Sequence, residues 1–203
     1  VGDNLLPNSS FEQVARGQVT GWIPWQAGYE VDERVCHTGA RSARCTLPQA
    51  NVQRGIGYVV ELNQTSPAPI VATAWSRAED VSGSPDSNYS LYLDLEYTDG
   101  TPLWGQTAPF DCGTHDWQKR TVTVVPSKPV RRVNVYGIFR NKTGTVWFDD
   151  FTLRTLAPSA QATLFDSVPV LRSHQTAPPT SEVITLATDD GLREQLFGAH
   201  PAA

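Results

Sequence analysis

The chain has 203 residues, of which 39% are hydrophobic, 9% aromatic and 18% charged, enough for one all-β domain with or without a tail. A formal net charge of -5, with Lys119-Arg120 and Arg131-Arg132 as the adjacent basic pairs, argues against nucleic acid as a partner, because no basic stripe would neutralise phosphates. No apolar run approaches the length of a membrane-spanning helix, and no basic-plus-apolar leader precedes Val1.

Helical periodicity is nearly absent from residues 1 to 157, where short apolar or alternating runs are split by Gly, Pro, Asn and Asp clusters. The segment Asn4-Leu5-Leu6-Pro7-Asn8 leads to Phe11-Glu12, an acid beside an apolar anchor. Gly21-Trp22 then precedes Trp25, which is expected in a loop. Strands are predicted over Tyr29–Val35, Ser42–Leu47, Gly55–Leu62, Ile70–Ala78, Tyr89–Tyr97, Gln118–Val124, Arg132–Phe139 and Val146–Leu153. Eight strands suit an antiparallel two-sheet jelly-roll sandwich. Asp99-Gly100 closes one hairpin, and Asn141-Lys142-Thr143-Gly144 joins the last two strands. After Leu156 the composition changes: 158–203 reads as a Pro-rich linker or a packed arm, with a short helix expected near 189–197. The sandwich is therefore assigned to 1–157.

Cys36 and Cys45 flank a turn, and Cys45 sits at period 2 with Ala43 and Leu47. A Cys36–Cys45 bridge, a Cys45–Cys112 bridge and three buried thiols are all compatible with this spacing. Asn8, Asn63, Asn88 and Asn141 stand in Asn-x-Ser/Thr sequons, which are polar loops unless the host glycosylates them.

In Trp147-Phe148-Asp149-Asp150-Phe151-Thr152-Leu153, strand parity puts Asp149 in the row of Phe151 and Leu153. A carboxylate in an apolar row is costly without a cation or hydrogen bonds. Together with Glu12, Asp149 suggests one structural Ca²⁺ closing the sandwich; the alternative is that both acids cap turns or face solvent. Parity also sorts the outward side chains. Leu91, Leu93 and Leu95 face the core, leaving Tyr92, Asp94 and Glu96 outside; Val133, Val135 and Gly137 face in, leaving Asn134, Tyr136, Ile138 and Arg140 outside. The small row Ala72, Ala74 and Ser76 faces in, leaving Trp75 and Arg77 outside. If the three strands share one sheet, Trp75, Arg77, Tyr92, Asp94, Asn134, Tyr136 and Arg140 line one concave face, with Trp25 as a wall and Trp104 as a rim. Aromatic platforms among planar polar groups suit a sugar ring. Arg77 with Asp94 as a cross-strand ion pair, and Trp22, Trp117 and Trp147 as packing residues, are the plainer readings.

These pieces, in order, are Asn4-Leu5-Leu6-Pro7-Asn8 with Phe11-Glu12, Gly21-Trp22, Gly39-Ala40-Arg41-Ser42, Tyr58–Leu62, Ala74-Trp75, Asp116-Trp117 and Trp147-Phe148-Asp149-Asp150-Phe151. Over about residues 3–155 they resemble the carbohydrate-binding modules of families 4, 9, 16 and 22, galactose-binding-like β-sandwiches. The resemblance implies a polysaccharide or oligosaccharide ligand, a secreted or cell-surface location, a covalently linked catalytic domain, and a structural Ca²⁺ held by Glu12 and Asp149 with backbone carbonyls near Gly39 and Ser42. Tyr136 matches a sugar-contacting aromatic of the family. Its neighbour two along, often acidic there, is Ile138 here, so the usual ligand class does not transfer directly.

Two other functions compete. One is a docking sandwich in a multidomain protein, without sugar binding. The other is a glycan-active enzyme using Asp94 and Glu96, which share a face as a glycosidase pair would. His37, His115, His174 and His200 adjoin no nucleophile motif, so the expectation is a non-catalytic module.

Overall fold

The computed structural model describes residues 2–156 together with the strands at 164–165, 168–172 and 184–186. Within 2–156 the chain forms twelve strands: Val14–Ala15 (β1), Gln18–Val19 (β2), Ile23–Gln26 (β3), Glu30–Asp32 (β4), Ser42–Leu47 (β5), Gln53–Glu61 (β6), Ile70–Val81 (β7), Tyr89–Tyr97 (β8), Pro102–Pro109 (β9), Gly113–Val124 (β10), Val130–Arg140 (β11) and Gly144–Thr155 (β12). β1 and β2 form a small hairpin. The rest make two antiparallel five-stranded sheets, ordered β10-β7-β12-β5-β4 and β3-β6-β11-β8-β9. Further on, Leu164–Phe165 (β13), Val168–Arg172 (β14) and Ile184–Leu186 (β15) pair as a third small sheet. The helix expected near 189–197 and the linker after Ala157 lie outside the described residues.

The eight expected strands are present with bounds shifted by a few residues, in the two-layer antiparallel arrangement expected. Besides the β1–β2 hairpin, β3 and β9 are additional, and both lie on the edges of the second sheet. β3 holds only four residues, broken by Pro24, and β9 carries Gly105 at φ 73°, so neither shows the alternation that marks a strand.

Between the layers, Leu91, Leu93, Leu95, Val133, Val135 and Ile56 of the second sheet meet Ala72, Ala74, Cys45, Val146, Phe148 and Leu153 of the first, all essentially sealed from solvent. Small residues on β7 leave space for aromatic ones. Tyr89 packs on Phe110 with ring centroids 5.1 Å apart, and its hydroxyl hydrogen-bonds the Ser76 hydroxyl at 2.6 Å. Gly137 is needed for the same reason: a Cβ there would lie 2.8 Å from the Phe148 ring of the opposite sheet. At the open end, Phe11, Trp22 and Phe151 form a second aromatic cluster, with Phe11–Trp22 centroids 4.9 Å apart. The Asn4 side chain extends the edge of β12, donating to the Phe151 carbonyl and accepting from the Leu153 amide.

All three cysteines are free, so neither bridge forms. Cys45 lies in the core as its parity predicted, and burial pushes its thiol up to about 12.

One parity expectation fails. The pairing of β12 with β7 jumps between Asp149 and Thr152, and Asp150 adopts φ 47°. This bulge reverses the alternation. Val146 and Phe148 point inward before it, and Phe151 and Leu153 point inward after it. Asp149, paired with Trp75, belongs instead to the outer row of Trp147. Its burial comes from the loop between β4 and β5, which folds over that row.

Phe148→Ala is expected to cost about 3–5 kcal/mol, since the facing Gly137 leaves nothing to refill the space. Urea unfolding should show a lowered midpoint with little change in slope.

Candidate functional site

The outer surface of the second sheet gathers the aromatic side chains. Register places Tyr136 opposite Tyr92 on one side and Gly57 on the other, with Ile23 beyond Gly57. The next row runs Ser90, Ile138, Gly55 and Trp25. The two glycines clear the floor. A Cβ on Gly57 would lie 2.5 Å from the Tyr136 ring, and one on Gly55 would lie 3.3 Å from the Trp25 ring. The rings can therefore lie low across the sheet. Trp25 and Tyr136 have centroids 6.4 Å apart, and Tyr136 and Tyr92 are 6.3 Å apart. The Arg140 guanidinium lies 5.8 Å from the Trp25 centroid and 5.9 Å from that of Tyr92. All four side chains are half-buried.

Along the strands in the other direction this face becomes a groove of about 330 Å³ lined by Asp94, Glu96, Trp104, Arg132 and Asn134 among others. Asp94 accepts a hydrogen bond from the Gly105 amide at 2.9 Å. Glu96 is held between Arg131 and Arg132 at 2.7 and 2.8 Å. Trp104, 70% exposed on β9, stands at the rim. Val59 and Ile23, at 40% and 46% exposure, continue the apolar character of this face. Burial, and then the nearby Asp94 carboxylate, raise the phenol pKa values of Tyr92 and Tyr136, so both remain hydroxyl donors at neutral pH.

Six of the eight expected ligand residues thus share one face: Trp25, Tyr92, Asp94, Asn134, Tyr136 and Arg140. Trp75 and Arg77 do not. They point outward as parity predicted, but β7 pairs with β10 and β12, so they lie on the opposite side of the sandwich. There Trp75 is covered by the His37 ring, stacked at 4.0 Å, and Arg77 pairs with Glu79 and lies over the Trp147 ring. The Arg77–Asp94 pair does not form for the same reason. Alternation says which side chains leave the core, whereas sheet membership depends on long-range pairing. Gly55 and Gly57 also belong to the site, and two glycines alternating inside a strand are their signal in the sequence.

The expected ion-binding residues meet around the turn before β5. The Asp149 carboxylate accepts from the His37 amide at 2.8 Å, the Thr38 amide at 3.3 Å and the Asp150 amide at 2.7 Å. Glu12 approaches the same turn from the N-terminal segment and accepts from the Ala40 and Arg41 amides. Gly39, at φ 64°, permits this approach, because a Cβ there would fall on the Glu12 carboxylate. Ser42 is buried and donates to the Val35 carbonyl. Burial and the neighbouring Asp150 push the Asp149 carboxyl up to about 7, against the pull of its three amide donors. With the folded-state pKa above the unfolded one, this group lowers stability as pH rises from the ordinary carboxylate range to about 7, and the loss levels off above that, unless a cation offsets the charge. No side-chain cation lies against the buried Asp149 carboxylate, and the groups that reach it and Glu12 are amide N–H donors; a hard divalent ion would need oxygen ligands beside them. Among the described residues, however, no three His, Cys, Asp or Glu side chains converge as a ligand set, so backbone carbonyls would have to complete it.

No protein-family model matches the sequence. Among solved structures, the CBM22-1 xylan-binding domain of Paenibacillus barcinonensis Xyn10C is 15% identical, with a TM-score of 0.56 over 78% of this chain and 97% of that one. TmCBM61, solved in complex with β-1,4-galactotriose, is 15% identical, with a TM-score of 0.53 over 76% and 100%. A family 16 carbohydrate-binding module gives 16% and 0.52 over 74% and 99%. The chain shares the β-sandwich fold of these carbohydrate-binding modules. Among curated proteins, the tRNA nuclease WapA of Bacillus subtilis (strain 168) is 29% identical over 155 residues, and the tRNA3(Ser)-specific nuclease WapA of Bacillus spizizenii is 34% identical over 154. Each match covers 74% of this chain but only 6% of the relative, so the chain spans a small part of those proteins.

Asp149→Ala would leave the His37, Thr38 and Asp150 amides without their acceptor. Hydrogen exchange at those amides should accelerate by about tenfold or more, while exchange at core amides of β8 and β11 changes less.

Proposed function

We propose that this region is a non-catalytic carbohydrate-binding module whose site is the Trp25–Tyr136–Tyr92 face of the second sheet, extended by the groove towards Trp104. The observation that carries this reading is the aromatic row itself: three rings and an arginine held over a strip cleared by Gly55 and Gly57. Rings of this kind meet the apolar face of a sugar, and Asn134, Asp94 and the tyrosine hydroxyls meet its hydroxyl fringe. The ligand is a polysaccharide or oligosaccharide, and the module holds a larger secreted or cell-surface protein, with its catalytic domain, against that polymer. Its value lies in local concentration rather than tight binding.

The glycosidase alternative has little support. Glu96 is neutralised by two arginines and Asp94 is engaged by a backbone amide, so neither is poised as a free acid or base. The docking alternative keeps one specific support: the matched stretch is a small part of very long relatives, as a structural unit in a multidomain chain would be. Those relatives are named as tRNA nucleases, yet the net charge of -5 offers this region no phosphate-binding stripe. The two readings separate in one experiment. Affinity electrophoresis on a broad panel of soluble glycans should show retardation on at least one of them. Tyr136→Ala should weaken it by roughly thirtyfold, the effect of truncating a central aromatic contact worth about 2 kcal/mol. Unretarded migration on the whole panel would favour docking.

A structural Ca²⁺ belongs to the same proposal. Glu12, Asp149 and carbonyls of the Gly39 turn would hold it, and it would supply the positive charge that buried Asp149 lacks. Glu12 and Asp149 lie far apart in sequence, so the ion would act on stability and not on sugar contacts. Excess chelator should lower the melting temperature, and added Ca²⁺ should restore it. An unchanged melting curve, followed over hours to allow slow release, would count against the ion.

A further inference from the structure

Arg140 sits between the Trp25 and Tyr92 rings without a carboxylate partner among the described residues. Six other partly buried arginines pair with carboxylates, among them Arg41 with Glu33, Arg44 with Glu30 and Asp32, and Arg132 with Glu96, whereas Arg154, like Arg140, has no ion pair among the described residues. Arg140 makes no ion pair with any described residue, although it is half-buried between two rings. Its outward neighbour on β11 is the aliphatic Ile138. Its orientation is nonetheless set from behind. The Nε donates to the Asn88 side-chain oxygen at 3.1 Å, and the Arg140 amide donates to the Asn88 carbonyl at 2.9 Å. Asn88 is fixed by two hydrogen bonds to Asp86, which Lys142 pairs with at 3.1 Å. This support leaves the two terminal guanidinium nitrogens without a hydrogen-bond partner among the described residues.

An unpaired cation taken partly out of water is costly, and two aromatic faces offset only part of that cost. A planar fork held in this way matches an oxyanion through two parallel hydrogen bonds. The acids of the site lie elsewhere: Asp94 is opposite Asn134, six residues and so roughly 20 Å along β11 from Arg140. Glu96, further still, is already neutralised.

Building on the proposed glycan site, we infer that the ligand is an acidic polysaccharide whose anionic group, a carboxylate or a phosphate, is received by Arg140 between Trp25 and Tyr92. The rings on either side of Arg140 take the adjoining sugar faces. The Asp94 end repels an anion and so sets the direction in which the chain lies.

The test uses the full 203-residue chain in gels cast with polygalacturonate, polymannuronate or hyaluronan, each beside the same polymer with its carboxyl groups reduced to alcohols, and in gels cast with polyglycerol phosphate. Because the protein is itself net negative, retention by a polyanion cannot come from overall charge. The expected result is that at least one acidic polymer binds about tenfold more tightly than its reduced form. Raising the salt should weaken the first and leave the second unchanged. In Arg140→Gln, checked for folding by circular dichroism, the preference ratio should fall close to one, and Arg140→Lys should recover only part of it. Retention on polyglycerol phosphate beyond every uronate would assign the anion as phosphate. Equal binding of every acidic polymer and its reduced partner, with no retention on polyglycerol phosphate, overturns the inference while neutral-glycan binding keeps the module reading intact. Absence of retention on these polymers and on the neutral panel overturns both.

Discussion

A single reversed alternation in β12 organises one whole side of this molecule. Before the Asp149–Asp150 bulge the strand offers Val146 and Phe148 to the core; after it, Phe151 and Leu153. Asp149 is thereby placed on the outer row, where only the turn between β4 and β5 can shield it. The three amides that its carboxylate gathers draw that turn over the sheet. With the turn come His37, which covers Trp75, and the surface that Glu12 grips from the N-terminal segment. A bulge of this kind costs ladder hydrogen bonds and a left-handed residue, and the local polar contacts offset that cost. His37 and Thr38 also bind the Asp150 side chain, so both acids of the pair are engaged by one turn.

The two outer faces consequently differ in kind. The first sheet is closed by that turn, and its outward aromatics are packed: Trp75 under His37, Trp147 under Arg77 with its indole donating to the buried Asp32 carboxylate. The second sheet has no such cover among the described residues. Its outward rings touch one another and Arg140, and Ile23, Val59 and Trp104 stay open to solvent. The proposed sugar contact would use these exposed apolar side chains.

Much of this was readable from residue order. The leucine row of Tyr89–Tyr97 and the valine row of Val130–Arg140 sorted Tyr92, Asp94, Asn134, Tyr136 and Arg140 to the outside, and all are there. What alternation cannot report is which strands are neighbours: β7 gives the same outward signal for Trp75 and Arg77 whether it lies in the first sheet or the second. Nor can it pass through a bulge, since one extra residue moves every later side chain to the other face. Asp149 therefore stands out as unusual in the sequence, but alternation alone sets it in the wrong row. Trp25 reads as a loop residue because Pro24 and a four-residue span hide an edge strand, and its position beside Tyr136 depends on Gly55 and Gly57, residues notable for having no side chain.

The hydrogen bonding of Asn4 and Leu5 to the end of β12 has a mechanical meaning. The Leu5 amide bonds the Leu153 carbonyl, and Gly2 lies against Thr155, so the two segments run antiparallel and their ends leave the first sheet side by side. A pull between polypeptide attached ahead of Gly2 and beyond Leu156 would load these contacts one after another, as a zipper opens, and not all at once in shear. Tension along such a chain would peel this edge first, while the ringed face on the far layer, joined through β6, β11 and β8, bears none of the early load.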